Sequence, residues 1–294
     1  MEYNNFRNEL LEALRNHFVS PYHVETTMVT KNNTQQREAF RIHLDGSSIA
    51  PTIYPRQIYE NNGHKPFSVE NIVKQLESSF LDESTPLSHF MEHIHSYEDV
   101  KDYIILKVIG QSTNRDLLET IPFYPLTDLA IAFSIFVPVK EKDYGTIQIT
   151  NAMMQTWGVT KADLYRQAQV NSPRLLPKRI HSMHSFLARY EAAHPTPPHS
   201  MYILTNHSEL CGASCLAYEH LLADISERFS SSFYILPSSI HECILIPASD
   251  PSRLDELTKT VQEVNETVLD PTDILSDHAY YYDRTTGNIL SEIS

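Results

Sequence analysis

The chain has 294 residues, 41% hydrophobic and 20% charged, with a formal net charge of −14 at pH 7. That is the composition of a folded protein with a substantial core, and its acidity argues against nucleic-acid and anionic-membrane partners. No stretch offsets it: the densest basic one holds only Arg174, Lys178, Arg179 and Arg189.

The seven glycines never lie closer than 13 positions. A phosphate-cradling loop needs clustered glycines for backbone N–H groups to approach the phosphate, so GxGxxG and Walker A loops are excluded and no cofactor is expected. The three cysteines, Cys211, Cys215 and Cys243, are too few for a disulfide framework and suit a reducing compartment. The N-terminus lacks the basic start and apolar block of a signal peptide. The longest apolar stretch, 129–139, is too short to span a bilayer. The expectation is a cytoplasmic protein.

Phe6, Leu10, Leu14 and Phe18 recur at helical spacing and predict an opening helix over 4–18. Two extended runs, 23–30 and 39–44, joined by KNNTQQ, predict a hairpin. The two prolines of IAPTIYPRQIYE argue against a central strand there. Ser68 can cap a helix running to Phe80. Residues 99–106 mix helix and strand signals, 107–110 finish a strand, and 126–139 should be deeply buried. Gly145 marks a turn before a strand over 146–150.

Asn151 opens a short helix ended by Gly158. Thr160 and Asp163 form a variant capping box for a helix over 161–170, which Pro173 and Pro177 break. Another helix is expected over 179–192, then HPTPPHS at 194–200 as a stiff connector. After it come a strand (MYILTN), a helix over 218–229, and strands over 233–236 and 242–247 joined by PSSIH. Ser252 caps a helix to Val264, and AYYYD and NILSEI pair across a terminal hairpin. Helices and strands do not alternate strictly. The expected class is α+β, with mostly antiparallel sheets and a compact C-terminal sheet covered by helices. Two lobes, 1–112 and 113–294, or one continuous domain, fit this order.

Three constellations carry possible chemistry. His89-Phe90-Met91-Glu92-His93 fits H-x-x-E-H, where both imidazoles on one helix face could share a zinc beside Glu92. The seryl and prolyl lead-in reads as a loop, and the bland alternative is chance surface histidines. His207, Cys211 and Cys215, with His241 and Cys243, supply imidazole and sulfur ligands, although buried cysteine is commonly a small hydrophobe. Ser239, His241 and Glu242 could serve as nucleophile, base and orienter, with Asp277 as another orienter and Ser238 as another nucleophile. The structural alternative is that Pro237-Ser238-Ser239 is turn chemistry. The tyrosines 280–282 read as a strand with aromatic faces.

The runs TIQITNAMMQTWGVTKADLYRQAQVNSPRLLP (146–177), MYILTN…FYILPSSIHECILIP (201–247), SIAPTIY and DILSDHAYYYD together resemble the bacterial domain-of-unknown-function 5688 family over essentially the whole chain. The Trp157, Asn171–Arg174 and ILPSSIHE elements also resemble domain of unknown function 1444. The resemblance implies a fold and a bacterial host, mainly gut Firmicutes, but no established activity. It implies a recurring polar set at Asn171, Arg174, Asn206, Ser238, Ser239, His241, Glu242 and Asn265, and no metal role for His89, His93, Cys211 or Cys215. Arg174 would need a carboxylate or carbonyl partner, for which Glu242 or Asp277 are candidates. The set forms either a network pinning the PSSIH turn or a small pocket for a ligand or peptide. The leading expectation is a non-enzymatic binding or accessory protein of mobile elements, with a protein or small-molecule partner. The alternatives are a hydrolase on Ser239, His241 and Glu242, or a zinc-dependent protein.

Overall fold

The computed structural model describes residues 2–46, 50–62, 68–80, 94, 96–140, 143–183 and 201–292. The architecture is α+β, and every strand pair whose register is resolved is antiparallel. Two compact units emerge: Met1–Val100 with Phe136–Thr146, and Lys101–Ile135 with Ile147–Ser294.

In the first unit, α1 (Tyr3–His17) precedes the hairpin β1 (Tyr22–Thr30) and β2 (Gln36–Leu44). The hairpin holds nine consecutive pairs, Tyr22↔Leu44 to Thr30↔Gln36. Its connection reverses through Asn33 and Thr34, both at positive φ. A two-residue β3 (Thr52–Ile53) adds to β2. Pro55 then opens α2 (Pro55–Asn62), because proline's fixed φ suits a first helical turn. Ser68 Oγ accepts the N–H of Asn71 at the start of α3 (Val69–Phe80). Phe6, Leu10 and Leu14 of α1 meet Phe40 and Ile42 of β2 and Ile72 and Val73 of α3 in one core. The short α4 (Tyr97–Val100) follows.

The second unit begins with β4 (Ile104–Gly110), α5 (Arg115–Thr120), β5 (Phe123–Leu126) and the first part of β6 (Leu129–Lys140), whose residues from Phe136 on are counted in the first unit. The strand order is β4-β6-β5, with β7 (Asp143–Gln148) also on β6. Gly145 therefore lies within a strand instead of preceding one. The short helix α6 (Asn151–Trp157) stops at Gly158, which takes the left-handed conformation. Thr160 and Asp163 form the expected reciprocal cap of α7 (Lys161–Leu175). This helix runs past residue 170, with Pro173 inside its last turn. The lost backbone bond is outweighed there by Asn171 and Ser172, whose buried side chains tie that turn to β4.

A strand, β8 (Lys178–Ser182), replaces the first part of the helix expected over 179–192. Five pairs with β9 (Tyr202–Asn206) supply the partner that local sequence could not reveal. The remainder of that helix, and the 194–200 connector, lie outside the described residues. Next come α8 (Leu221–Phe229), starting later than the expected residue 218, then β10 (Ser232–Ser239) and β11 (Glu242–Ala248). The last elements are α9 (Leu254–Thr267), β12 (Tyr280–Tyr282) and β13 (Ile289–Leu290). The six-stranded order is β13-β12-β10-β11-β9-β8.

One face, with Tyr234, Leu236, Ile246 and Tyr281, buries Leu254, Leu257 and Val261 of α9. On the other face, Phe229 of α8 packs edge-on against Phe233. Ser252 does not cap α9. The Tyr234 hydroxyl accepts the Arg253 N–H instead, while Asp250 accepts that of Ser252. Among the described residues, no helix is long and apolar enough to cross a membrane.

Candidate functional site

The outer edge of β4 presents its backbone to side chains where a further strand would lie. Asn171 Nδ2 donates to the Ile104 carbonyl at 3.1 Å. Ser172 Oγ accepts the Leu106 N–H at 2.8 Å, and Ser214 Oγ accepts that of Val108 at 2.9 Å. Asn114 Nδ2 donates to the Gly110 carbonyl at 2.9 Å. These four side chains are almost fully buried. Residues 104, 106, 108 and 110 point the same way because strand backbone alternates, so a row of serines and asparagines can stand in for a strand.

Asn171 also donates to the Lys101 carbonyl. Arg174 donates to the Asp102 carbonyl at 2.6 Å and to Asn171 Oδ1 at 3.2 Å. Its partners are thus carbonyl oxygens, neither Glu242 nor Asp277. The Tyr218 hydroxyl, deep beneath the same helix end, donates to the Leu176 carbonyl. Burial pushes its pKa far above the ordinary tyrosine range.

The turn between β10 and β11 holds Ser238, Ser239, His241 and Glu242. Ser239 Oγ accepts the backbone N–H of His241 at 3.0 Å, a short-range turn contact. Ser238 Oγ donates to Glu242 Oε1 at 3.3 Å. The His241 ring faces elsewhere. Its Nδ1 lies 3.3 Å from the Cys211 N–H and 3.1 Å from the Glu209 carbonyl, and can serve only one at a time. Its Nε2 lies 3.7 Å from Asp273 Oδ1. The His241 carbonyl accepts the Thr205 hydroxyl at 2.8 Å. Gly212 sits against this pair, since a Cβ there would fall 2.1 Å from Thr205 Oγ1 and 2.2 Å from the His241 carbonyl oxygen. Asn206 closes the neighbouring loop by donating to the Leu210 carbonyl and accepting from Ser208 N.

Cys215 donates its thiol to the Thr205 carbonyl at 3.4 Å, and burial pushes that thiol up to about 12. Cys243 is buried beside it and shifted the same way. Cys215 and Cys243 form no disulfide. Among the described residues, no group of three or more His, Cys, Asp or Glu could hold a metal. His89 and His93 lie outside the described residues. Asn265 Nδ2 donates to the Ser276 carbonyl and to Asp277 Oδ1.

A further polar centre forms around Asp128, in the turn between β5 and β6. Asp128 Oδ2 accepts Ser276 Oγ at 2.9 Å and faces His278 Nδ1 at 3.1 Å, while Oδ1 accepts the Tyr280 hydroxyl at 2.7 Å. Burial alone would raise the pKa of Asp128. The three donors from Tyr280, His278 and Ser276 outweigh it and hold the carboxyl below its usual range. Tyr280 is driven far upward by burial and then by the Asp128 charge, so it remains a donor. The signal available in the sequence is the alternation Ser276-x-His278-x-Tyr280, which puts three donors on one side of an extended segment. Their acceptor lies about 150 positions away and leaves no local mark.

No curated protein and no solved structure matches the chain. A family model does, over residues 3–284, nearly the whole length. By that match, the chain with its side-chain-capped β4 edge and its PSSIH turn belongs to the family of unknown function DUF5688.

Proposed function

We propose that this chain is a binding or accessory protein of the bacterial cytoplasm, not a hydrolase built on Ser239, His241 and Glu242. The observation supporting this reading is the engagement of the Ser239 hydroxyl by the His241 backbone N–H, while the His241 ring turns toward Glu209, Cys211 and Asp273. A nucleophile and its base need a mutual hydrogen bond. Asn171, Arg174, Asn206 and Asn265 likewise engage carbonyl groups at element ends, which favours a rigid scaffold that presents a surface. The buried thiols of Cys215 and Cys243, neither in a disulfide, agree with a reducing compartment.

The test has two arms. Wild type, Ser239→Ala and His241→Ala are assayed on esterase, peptidase and phosphatase substrates. The expected result is no turnover that depends on either residue; turnover abolished by Ser239→Ala in a folded protein would overturn the reading. Native mass spectrometry of protein purified from its own host should find a stoichiometric companion, either a chain or a metabolite. A bare chain under those conditions would count against binding as the role.

A further inference from the structure

His278 and Asp128 differ from the His241 pair in a way that matters chemically. An ionised carboxylate can only accept, so the 3.1 Å contact of His278 Nδ1 with Asp128 Oδ2 requires the proton on Nδ1. In the neutral ring the lone pair then lies on Nε2, at the other side of the imidazole. The His278 backbone N–H is fixed as well, donating to Ser276 Oγ. The carboxylate is immobilised by Tyr280 and Ser276, so the ring is oriented by an anchor that is itself held from two sides. The ring is not buried: 43% of the His278 side chain is exposed, against 36% for Asp128. Nε2 has no hydrogen-bond partner among the described residues.

We infer that His278 Nε2 is an acyl-acceptor site, reactive toward activated carboxylic esters and carbonates, with Asp128 as its positioning residue. This goes beyond the binding reading and does not depend on it. Nε2 forms a bond to the carbonyl carbon, and the bond to the leaving oxygen breaks with its electron pair going to that oxygen. The ring acquires a positive charge while the Nδ1 proton stays in its hydrogen bond to Asp128. A carboxylate beside the developing cation lowers the barrier. Water then cleaves the N–acyl bond, releasing the carboxylic acid, or the carbonic half-ester where a carbonate reacted, and returning the neutral ring, with one proton passing to the expelled oxyanion. The His241 ring is not equivalent, because its Nδ1 faces backbone groups and its Nε2 points at Asp273.

The test uses the full chain and diethyl pyrocarbonate, with carbethoxylated histidines located by peptide mass spectrometry. His220 is the internal reference, since 81% of its side chain is exposed. His278 should react about tenfold faster than His220, and Asp128→Asn should remove about that factor. His278 reacting no faster than His220 would overturn the inference. Should Asp128→Asn not fold, the nitrogen-15 shifts of the wild-type ring decide: the neutral form must carry its proton on Nδ1, and an Nε2-protonated ring would overturn the assignment. With p-nitrophenyl acetate, His278→Ala should lower the release of nitrophenolate, and an unchanged rate would count against the site. Release lost with His278→Ala but kept in Ser239→Ala and His241→Ala separates this inference from the Ser239 hydrolase.

Discussion

Ser172, near the end of α7, accepts the backbone N–H of Leu106 at 2.8 Å across 66 positions of sequence. Ser214 does the same for Val108 at 2.9 Å. Both hydroxyls are buried, and they occupy adjacent outward-facing sites on one strand edge. An edge strand exposes unpaired N–H and C=O groups that invite pairing with another chain. Here the edge is closed by side chains from a helix and a turn.

Removing either hydroxyl leaves a buried N–H without an acceptor. Ser172→Ala and Ser214→Ala are each expected to destabilise the protein by about 1–3 kcal/mol. Equilibrium urea unfolding of the single variants checks this. A change within experimental error in both would mean the hydroxyls do not carry the edge.

The turn that holds His241 gives a second prediction. A methyl group on Gly212 would overlap both Thr205 Oγ1 and the His241 carbonyl oxygen, the two ends of one hydrogen bond. Gly212 is not in a left-handed conformation, so the requirement is one of space and not of backbone angle. Gly212→Ala should cost about 1–3 kcal/mol or more by overpacking. Combining it with Thr205→Ala removes one clashing atom, so the double variant should lose less than the two singles together. Strict additivity, read from thermal or urea unfolding, would contradict the proposed overlap.

Much of this was legible in the sequence. The opening helix, the nine-pair hairpin, the Thr160 cap and the C-terminal strands follow from periodicity and turn chemistry, which are local. The failures share a cause. Residues 178–182 became a strand because β9 was there to pair with them. Pro173 was tolerated because Asn171 and Ser172 anchor the last turn of α7 to β4. Arg174 found the Asp102 carbonyl, not a carboxylate. The Asp128 centre joins residues about 150 positions apart, and no window of sequence contains both halves.

Asp128 makes stability depend on acidity. Its folded-state value is depressed, so it contributes stability above the unfolded carboxylate value of about 3.9, lost as pH falls through the folded value. Asp128→Asn also replaces one of the two acceptor oxygens by an NH2 that faces donors. The stability gap between wild type and this variant should narrow below about pH 4. A gap that is constant down to pH 3, or that widens there, would show that Asp128 is not the ionised acceptor of this centre.

Burial of the thiols sets the last expectation. Cys215 is pushed up to about 12 by loss of solvation, and Cys243 is fully buried and shifted the same way. The thiolate is the nucleophile, so at pH 8 both should resist alkylation in the native state. Iodoacetamide followed by peptide mass spectrometry should leave Cys215 and Cys243 unmodified in folded protein and modify them in 6 M guanidinium chloride, roughly the range where even very stable domains unfold. Labelling in the folded protein at the denatured rate would place these sulfurs at the surface. Their engagement in the β9–β11 core, with Cys215 donating to Thr205 and Thr205 holding the His241 carbonyl, would then be untenable.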